Sequence, residues 1–182
     1  MHLELHAYSP DWPRDFENEA EVLRGIFRYD LLAIHHIGST AIPGMIAKPT
    51  IDILAVASTL GAVDCHADQM QAAGYIGKGE NGIAGRRYFQ RFGEGGRHTH
   101  HVHIFPKGSR EIERHLAFRD FLRAQPAKAA LYADAKLQAA EMAGSSRPAY
   151  QARKSPFVQR TEIEALAWHS KAFASDCFQA WD

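Results

Sequence analysis

Residues 50–57, "TIDILAVA", set one carboxylate, Asp52, inside an otherwise apolar run. The run before it, "LLAIHHI" at 31–37, is equally rich in isoleucine and leucine, and the segment between the two holds Gly38, Pro43, Gly44 and Pro49. Short apolar runs separated by such turn residues read as β-strands. Alternate residues of a strand share a face, about 6.6–7 Å apart. Asp52 therefore shares a face with Thr50 and Leu54, while Ile51 and Ile53 point the other way, into a core. An unpaired carboxylate on a buried strand is costly unless it meets a cation, a metal or several N–H groups. The fold must therefore supply a sheet with one apolar face and one face that holds a partner for Asp52.

The rest of the chain reads as α+β. "SPDWPRDFENEAEVLRGIF" carries capping residues, early prolines and Phe16, Ala20, Leu23 and Phe27 at helical spacing. "TLGAVDCHADQMQAAG" reads as one helix ending at Gly74. Two strand-like runs follow, 86–92 and 99–105, with "FGEGGRH" as a hairpin loop. From Ser109, a natural N-cap, the chain turns rich in alanine and charge, and three helices are expected, with breaks at Pro126 and at "GSSRP". The expected organisation is one domain over 1–182, with a sheet-containing core over 1–108 and C-terminal helices over 109–182.

The length of 182 residues suits one domain with a real core. Twenty-one basic and 21 acidic residues cancel, which argues against nucleic acid as a partner and leaves any polyanion contact to a local site. Two distant cysteines, Cys65 and Cys177, fit a reduced cytoplasmic setting. The start has no signal-peptide pattern, and no apolar run approaches 18 residues, so no membrane span is expected.

The candidate site grows from the turn before Asp52. Gly38 lets backbone approach a ligand closely, Ser39 offers an N–H and a hydroxyl, and Lys48 can add positive charge. An anion-binding turn beside a lone carboxylate suggests phosphate with a divalent cation, or a phosphorylated ligand bound without turnover. Glu80, in the glycine-rich "KGENGIAGRR", can return a second carboxylate to Asp52. Of Arg86 and Arg87, neighbours on a strand, one is expected to face the site and grip phosphate. "HTHHVHIF" puts His101 and His103 on one strand face and His100 on the other. Together with Asp52 that pair could hold Zn²⁺ or Mn²⁺, contact phosphate, or act as general acid and base. Of His35 and His36, one is expected to face the site. Arg119 and Asp120 are expected to tie the C-terminal helices to the sheet, and Lys154 could reach a ligand. Phe173, Phe178 and Trp181 read as docking or homodimer contacts.

"HIGSTAIPGMIAKPTIDILAV", with "GENGIAGRRYF", "HTHHVHIF", "FRDFLRAQP", "YSPDWPRDFENEA" and "AYQARKSPFV", resembles the GrpB family over roughly residues 7 to 160. That family is placed by fold in the nucleotidyltransferase superfamily, and a similar domain occurs fused to dephospho-CoA kinase in some bacteria. The resemblance implies a nucleotidyltransferase-like mixed β-sheet flanked by helices, with a helical C-terminal part. In such enzymes a Gly-Ser pair grips the triphosphate, and an Asp-x-Asp/Glu strand holds Mg²⁺ for in-line transfer. Gly38-Ser39 matches and Asp52 matches the first carboxylate, but Leu54 stands where the second would be. The expectation is a bacterial-type protein that binds a nucleotide or other phosphorylated small molecule, with metal-dependent nucleotidyl or phosphoryl transfer as its reaction if it is an enzyme. Gly38, Ser39, Lys48, Arg86 and Arg87 would hold phosphate. Asp52, Glu80, His101 and His103 would hold Mg²⁺ or Mn²⁺, or Zn²⁺, with Asp52, Glu80 and His101 as catalytic groups. Two other classes stay open: an inactive ligand-binding module and a His/Asp transition-metal enzyme.

Overall fold

The structure, a computed structural model, describes residues 4–178, with side chains through Lys171. Its centre is a five-stranded mixed sheet in the order β1-β2-β5-β4-β3. The strands are β1 (Leu31–Ile37), β2 (Ile51–Ala57), β3 (Tyr75–Gly77), β4 (Arg87–Phe92) and β5 (His98–Pro106). β2 and β5 run parallel, and the other pairs are antiparallel.

Helix α1 (Trp12–Phe27) covers one face of this sheet. Its stripe of Trp12, Phe16, Ala20, Leu23 and Phe27 packs on Ile51, Ile53 and Ala55 of β2 and on Val102 and Ile104 of β5. The period of 3.6 on the helix and 2 on the strands brings these apolar sets together. The face also holds Glu19, buried from α1, whose Oε1 accepts from Tyr75 Oη and Arg91 Nη1, each at 2.7 Å.

The helix expected over 59–74 is instead two, α2 (Leu60–Cys65) and α3 (Ala67–Ala72). His66 breaks it at φ −99°, ψ 10°, where its ring bonds Asp30 at 3.1 Å and Gln69 at 2.5 Å. A contact 36 residues back in the chain overrides local helix propensity there. Gly74 then takes φ 84° and turns the chain into β3, a three-residue edge strand with no local alternation to betray it.

Helices α4 (Arg110–Ala124), α5 (Pro126–Ala143) and α6 (Arg147–Phe178) pack together across the other face. Ser109 caps α4, accepting from the Glu111 N–H. Ala117, Phe121, Leu122, Tyr132 and Ala165 form their core, and Ile42 and Met45 from the β1–β2 connection insert into it. Polar clasps add to this. Arg119 Nη1 donates to the His36 carbonyl at 3.1 Å, Arg123 Nε to the Ala41 carbonyl at 2.8 Å, and Lys136 Nζ to the Ile46 carbonyl. The helices thus hold the β1–β2 connection from outside while the sheet holds it from within. Phe173, Phe178 and Trp181 lie outside the described side chains. No helix among the described residues is long and apolar enough to cross a membrane.

Candidate functional site

β1 ends at Ile37, and Gly38 turns the chain at φ 70° into a short 3₁₀ turn, Ser39–Ala41. Only glycine suits this point. A Cβ on Gly38 would stand 2.4 Å from Asp52 Oδ2, so the turn is pressed against the carboxylate.

The parallel register sets Asp52 beside His101 and Leu54 beside His103. His101 Nδ1 lies 2.9 Å from Asp52 Oδ1, and His101 Nε2 lies 3.1 Å from His98 Nδ1. Burial alone would push the Asp52 carboxyl up, but the hydrogen bond from His101, with the electrostatic influence of His101, His103 and Lys154, outweighs it and holds the group below its usual range. An ionised carboxylate can only accept, so His101 carries its hydrogen on Nδ1. In the neutral ring Nε2 is then bare and accepts from His98 Nδ1–H, which leaves His98 Nε2 as the free lone pair at the end of the chain. Burial, with Arg147 next in effect, takes His98 down to about 4.

Arg86 is buried, and its Nη1 lies 3.2 Å from His103 Nδ1. A guanidinium has no lone pair to offer, so His103 Nδ1 accepts and Nε2 carries the hydrogen. Burial takes His103 down to about 3, against the pull of Asp52 and with help from His115 and Arg86. Arg86 also donates to the carbonyls of Glu80 at 3.1 Å and Asn81 at 2.7 Å, which fixes the 80–85 loop.

These groups open into a cavity of about 510 Å³ between the sheet and the C-terminal helices. Gly38, Ser39, Lys48, Asp52, His101 and His103 all line it. Lys154, also raised from the sequence, lines it too, whereas Arg86, Arg87, Glu80, His36 and His100 do not. Arg86 sits behind His103, and Arg87, on the alternate face, makes a two-pronged pair with Asp64 at 2.6 and 2.7 Å. The Glu80 carboxylate is exposed and accepts from the Gly85 N–H at 2.7 Å, so its loop closes on itself instead of reaching Asp52. His36 is buried outside the cavity, bonded to Thr40 at 2.9 Å and stacked on Phe16. His100 lies on the α1 face, 3.6 Å from Glu19.

Among the lining groups not picked out in the sequence are His98, Lys136, Arg147 and Tyr150. Lys136 is 1% exposed and stands over the Tyr132 ring, and burial with the nearby Lys154 takes its amine down to about 7. Arg147, Tyr150 and Lys154 recur at i, i+3 and i+7 on α6, a one-face spacing that was readable in principle.

The donors do not fit a resident metal. Leu54, fully buried with Ile37 and Phe105, is a core residue where a second carboxylate would stand. Both ring nitrogens of His101 are engaged, and His103 turns a hydrogen outward. Among the described residues no group of three His, Cys, Asp or Glu side chains is placed to hold a metal ion.

Fold and site together define an α+β protein whose mixed sheet turns a strand-borne carboxylate toward a cavity. The chain belongs to the GrpB family, described as GrpB protein, which it matches over residues 2–164. It is 46% identical to the UPF0157 protein YqkA of Bacillus subtilis, over 91% of this chain and 48% of that protein, so it spans about half of that relative's length. With the UPF0157 protein PA4798 of Pseudomonas aeruginosa the identity is 37%, over 91% of this chain and 68% of the relative. The crystal structure of the conserved protein GrpB from Enterococcus faecalis superposes with a TM-score of 0.86 at 38% identity, covering 91% of this chain and 99% of that one.

Proposed function

We propose that the cavity binds a nucleotide or another phosphorylated small molecule. The observation that carries this reading is the sign of the lining. Among the described residues, six Lys or Arg and three Asp or Glu side chains meet the cavity, in a chain of zero formal charge. The excess is local, so it selects a compact anion over a long polyanion. Gly38 and Ser39 offer N–H groups and a hydroxyl to a phosphate, Lys48 adds charge, and Tyr88, Phe118 and Tyr150 offer aromatic surface to the rest of the ligand. The volume of 510 Å³ lies within the range of about 300–1,000 Å³ typical of small-molecule sites.

Turnover is a second reading, favoured by the Asp52–His101–His98 chain. The bare His98 Nε2 would take a proton from an attacking hydroxyl or water, while Asp52 orients His101. Leu54 removes support for transfer across two metals. The test is thermal denaturation of the full chain with nucleoside mono-, di- and triphosphates, using the parent nucleosides as neutral controls. A ligand at 100 times its Kd adds about 2.7 kcal/mol, roughly 5–10 °C for a chain of this size. A shift with phosphorylated compounds, reduced in Lys48→Ala, is expected. Equal behaviour of nucleosides and nucleotides would overturn the reading. His98→Ala should abolish any turnover and leave binding in place.

A further inference from the structure

We propose that the chain neutralises its ligand's phosphates with its own cations, Lys48, Arg147 and Lys154, and takes a compound with two or more linked phosphates free of divalent metal. This rests on the reading of the cavity as a site for phosphorylated ligands.

Three cations from two parts of the chain converge at one wall of the cavity. Lys48, from the β1–β2 connection, sets its Nζ 4.6 Å from the centre of the Tyr150 ring, and Lys154 sets its own at 5.6 Å. Arg147 lies one turn before Tyr150 on α6 and Lys154 one turn after, so both share its helix face. All four side chains line the cavity.

Among the described residues no carboxylate lies within 4.0 Å of Lys48, Arg147 or Lys154. Elsewhere the protein pairs its cations readily, as in Arg87–Asp64, Arg91–Glu19 and Lys128–Glu164. Lys48 is held down to about 8 by burial and by the charges of Arg147 and Lys154. Like charges brought together without a partner destabilise the empty protein, and an arriving polyanion relieves that repulsion.

The metal route is closed at the same place. Asp52 spends one oxygen on His101, its second-carboxylate position is Leu54, and His103 is turned into a donor by Arg86. Charge that a divalent ion would otherwise supply comes here from side chains, as guanidinium and ammonium groups bind phosphate directly.

Isothermal titration of the full chain with inorganic tripolyphosphate, against orthophosphate, in EDTA and then in Mg²⁺ tests this. Tripolyphosphate should bind in EDTA at least tenfold tighter than orthophosphate, and Mg²⁺ should weaken binding by complexing the probe. Arg147→Ala and Lys154→Ala should each weaken it about tenfold or more without lowering the Tm of the empty protein, and Lys154→Arg should restore it. Asp52→Asn should tighten it, because a negative charge beside the cluster is removed. Binding that needs Mg²⁺ or Mn²⁺ and is lost in Asp52→Asn would overturn this inference while leaving the phosphorylated-ligand reading standing. Binding that ignores Arg147→Ala and Lys154→Ala would overturn it too. No response to any phosphate in either condition would sink both.

Discussion

Two carboxylates sit on opposite faces of the same sheet, and they are treated differently. Glu19, on the α1 face, has a side chain 6% exposed and is closed in by Arg91 and Tyr75. Asp52, on the face toward the C-terminal helices, is 29% exposed and has one side-chain partner, His101, with a cavity beyond it. Both are strand- or helix-borne acids near a core. Burial therefore does not mark the functional one. What distinguishes Asp52 is a hydrogen-bond chain that ends in an open lone pair, and cavity cations that make no ion pair within 4.0 Å among the described residues. The Glu19 network is complete within the protein, so its contribution is to stability. The Asp52 network faces the cavity, where the proposed ligand would meet it.

The largest expected effect breaks the closed side. Glu19→Gln strips the charge that Arg91 faces and weakens the acceptor for Tyr75. Breaking a buried pair from one end costs about 3–5 kcal/mol, and the partial exposure of Arg91, 29%, brings this toward about 2–3 kcal/mol. Denaturant unfolding should show that loss, with ligand binding unchanged. A loss under 1 kcal/mol would mean that the α1 face does not depend on this network.

Next in size is Gly38→Ala, which joins the two sides. The left-handed backbone costs about 1–2 kcal/mol for a residue with a Cβ. The methyl group also meets Asp52 Oδ2, so either the turn or the carboxylate must move. A destabilisation of about 2 kcal/mol is expected, with phosphate-dependent stabilisation abolished. Retained binding at full strength would show that the turn is no part of the ligand site.

Acid sharpens the comparison further. Burial holds His36 at about 4 and His103 at about 3, both below the value near 6.5 in an unfolded chain. As pH falls below about 6.5, the unfolded chain takes up protons that the folded chain refuses, so stability falls. Each ring contributes up to about 1.4 kcal/mol per pH unit, down to its folded value. Unfolding free energies measured from pH 7 to pH 4.5 should decline accordingly. His103→Gln keeps an acceptor for Arg86 and cannot titrate, so it should flatten the decline by about one proton. An unaltered slope would show that His103 is charged in the folded state.

Much of this was legible because strands repeat every two residues. Alternation alone separates Asp52 and Leu54 from Ile51 and Ile53, and His101 and His103 from His100, and the structure keeps each on the face so assigned. The three C-terminal helices and their breaks were also readable, since caps and prolines are local signals. What was not legible depends on contacts between distant residues. His66 divides a helix because Asp30 waits for it, and Glu80 stays away from Asp52 because Gly85 offers it a closer N–H. The choice between Arg86 and Arg87 turns on where Asp64 and His103 end up. The spacing of Arg147, Tyr150 and Lys154 carried a signal, but nothing in α6 alone says that Lys48 will lie against the same ring.

The smallest effect tests the open side by the matching change, Asp52→Asn. The asparagine oxygen can still accept from His101 Nδ1–H, so the geometry of the chain survives. The charge it removes is stabilising above the ordinary carboxylate range, because the folded group sits below its unfolded value, and that contribution would be lost anyway as pH falls through the folded value. That net lowering already includes the desolvation cost of the buried ion, the leading influence on it, which offsets much of what His101 and the nearby charges contribute. What remains is small, and a loss of stability within about 1 kcal/mol at pH 7 is expected, well below that of Glu19→Gln. If Asp52→Asn proves as damaging as Glu19→Gln, Asp52 is held as tightly as its counterpart, and the contrast between a closed and an open carboxylate fails.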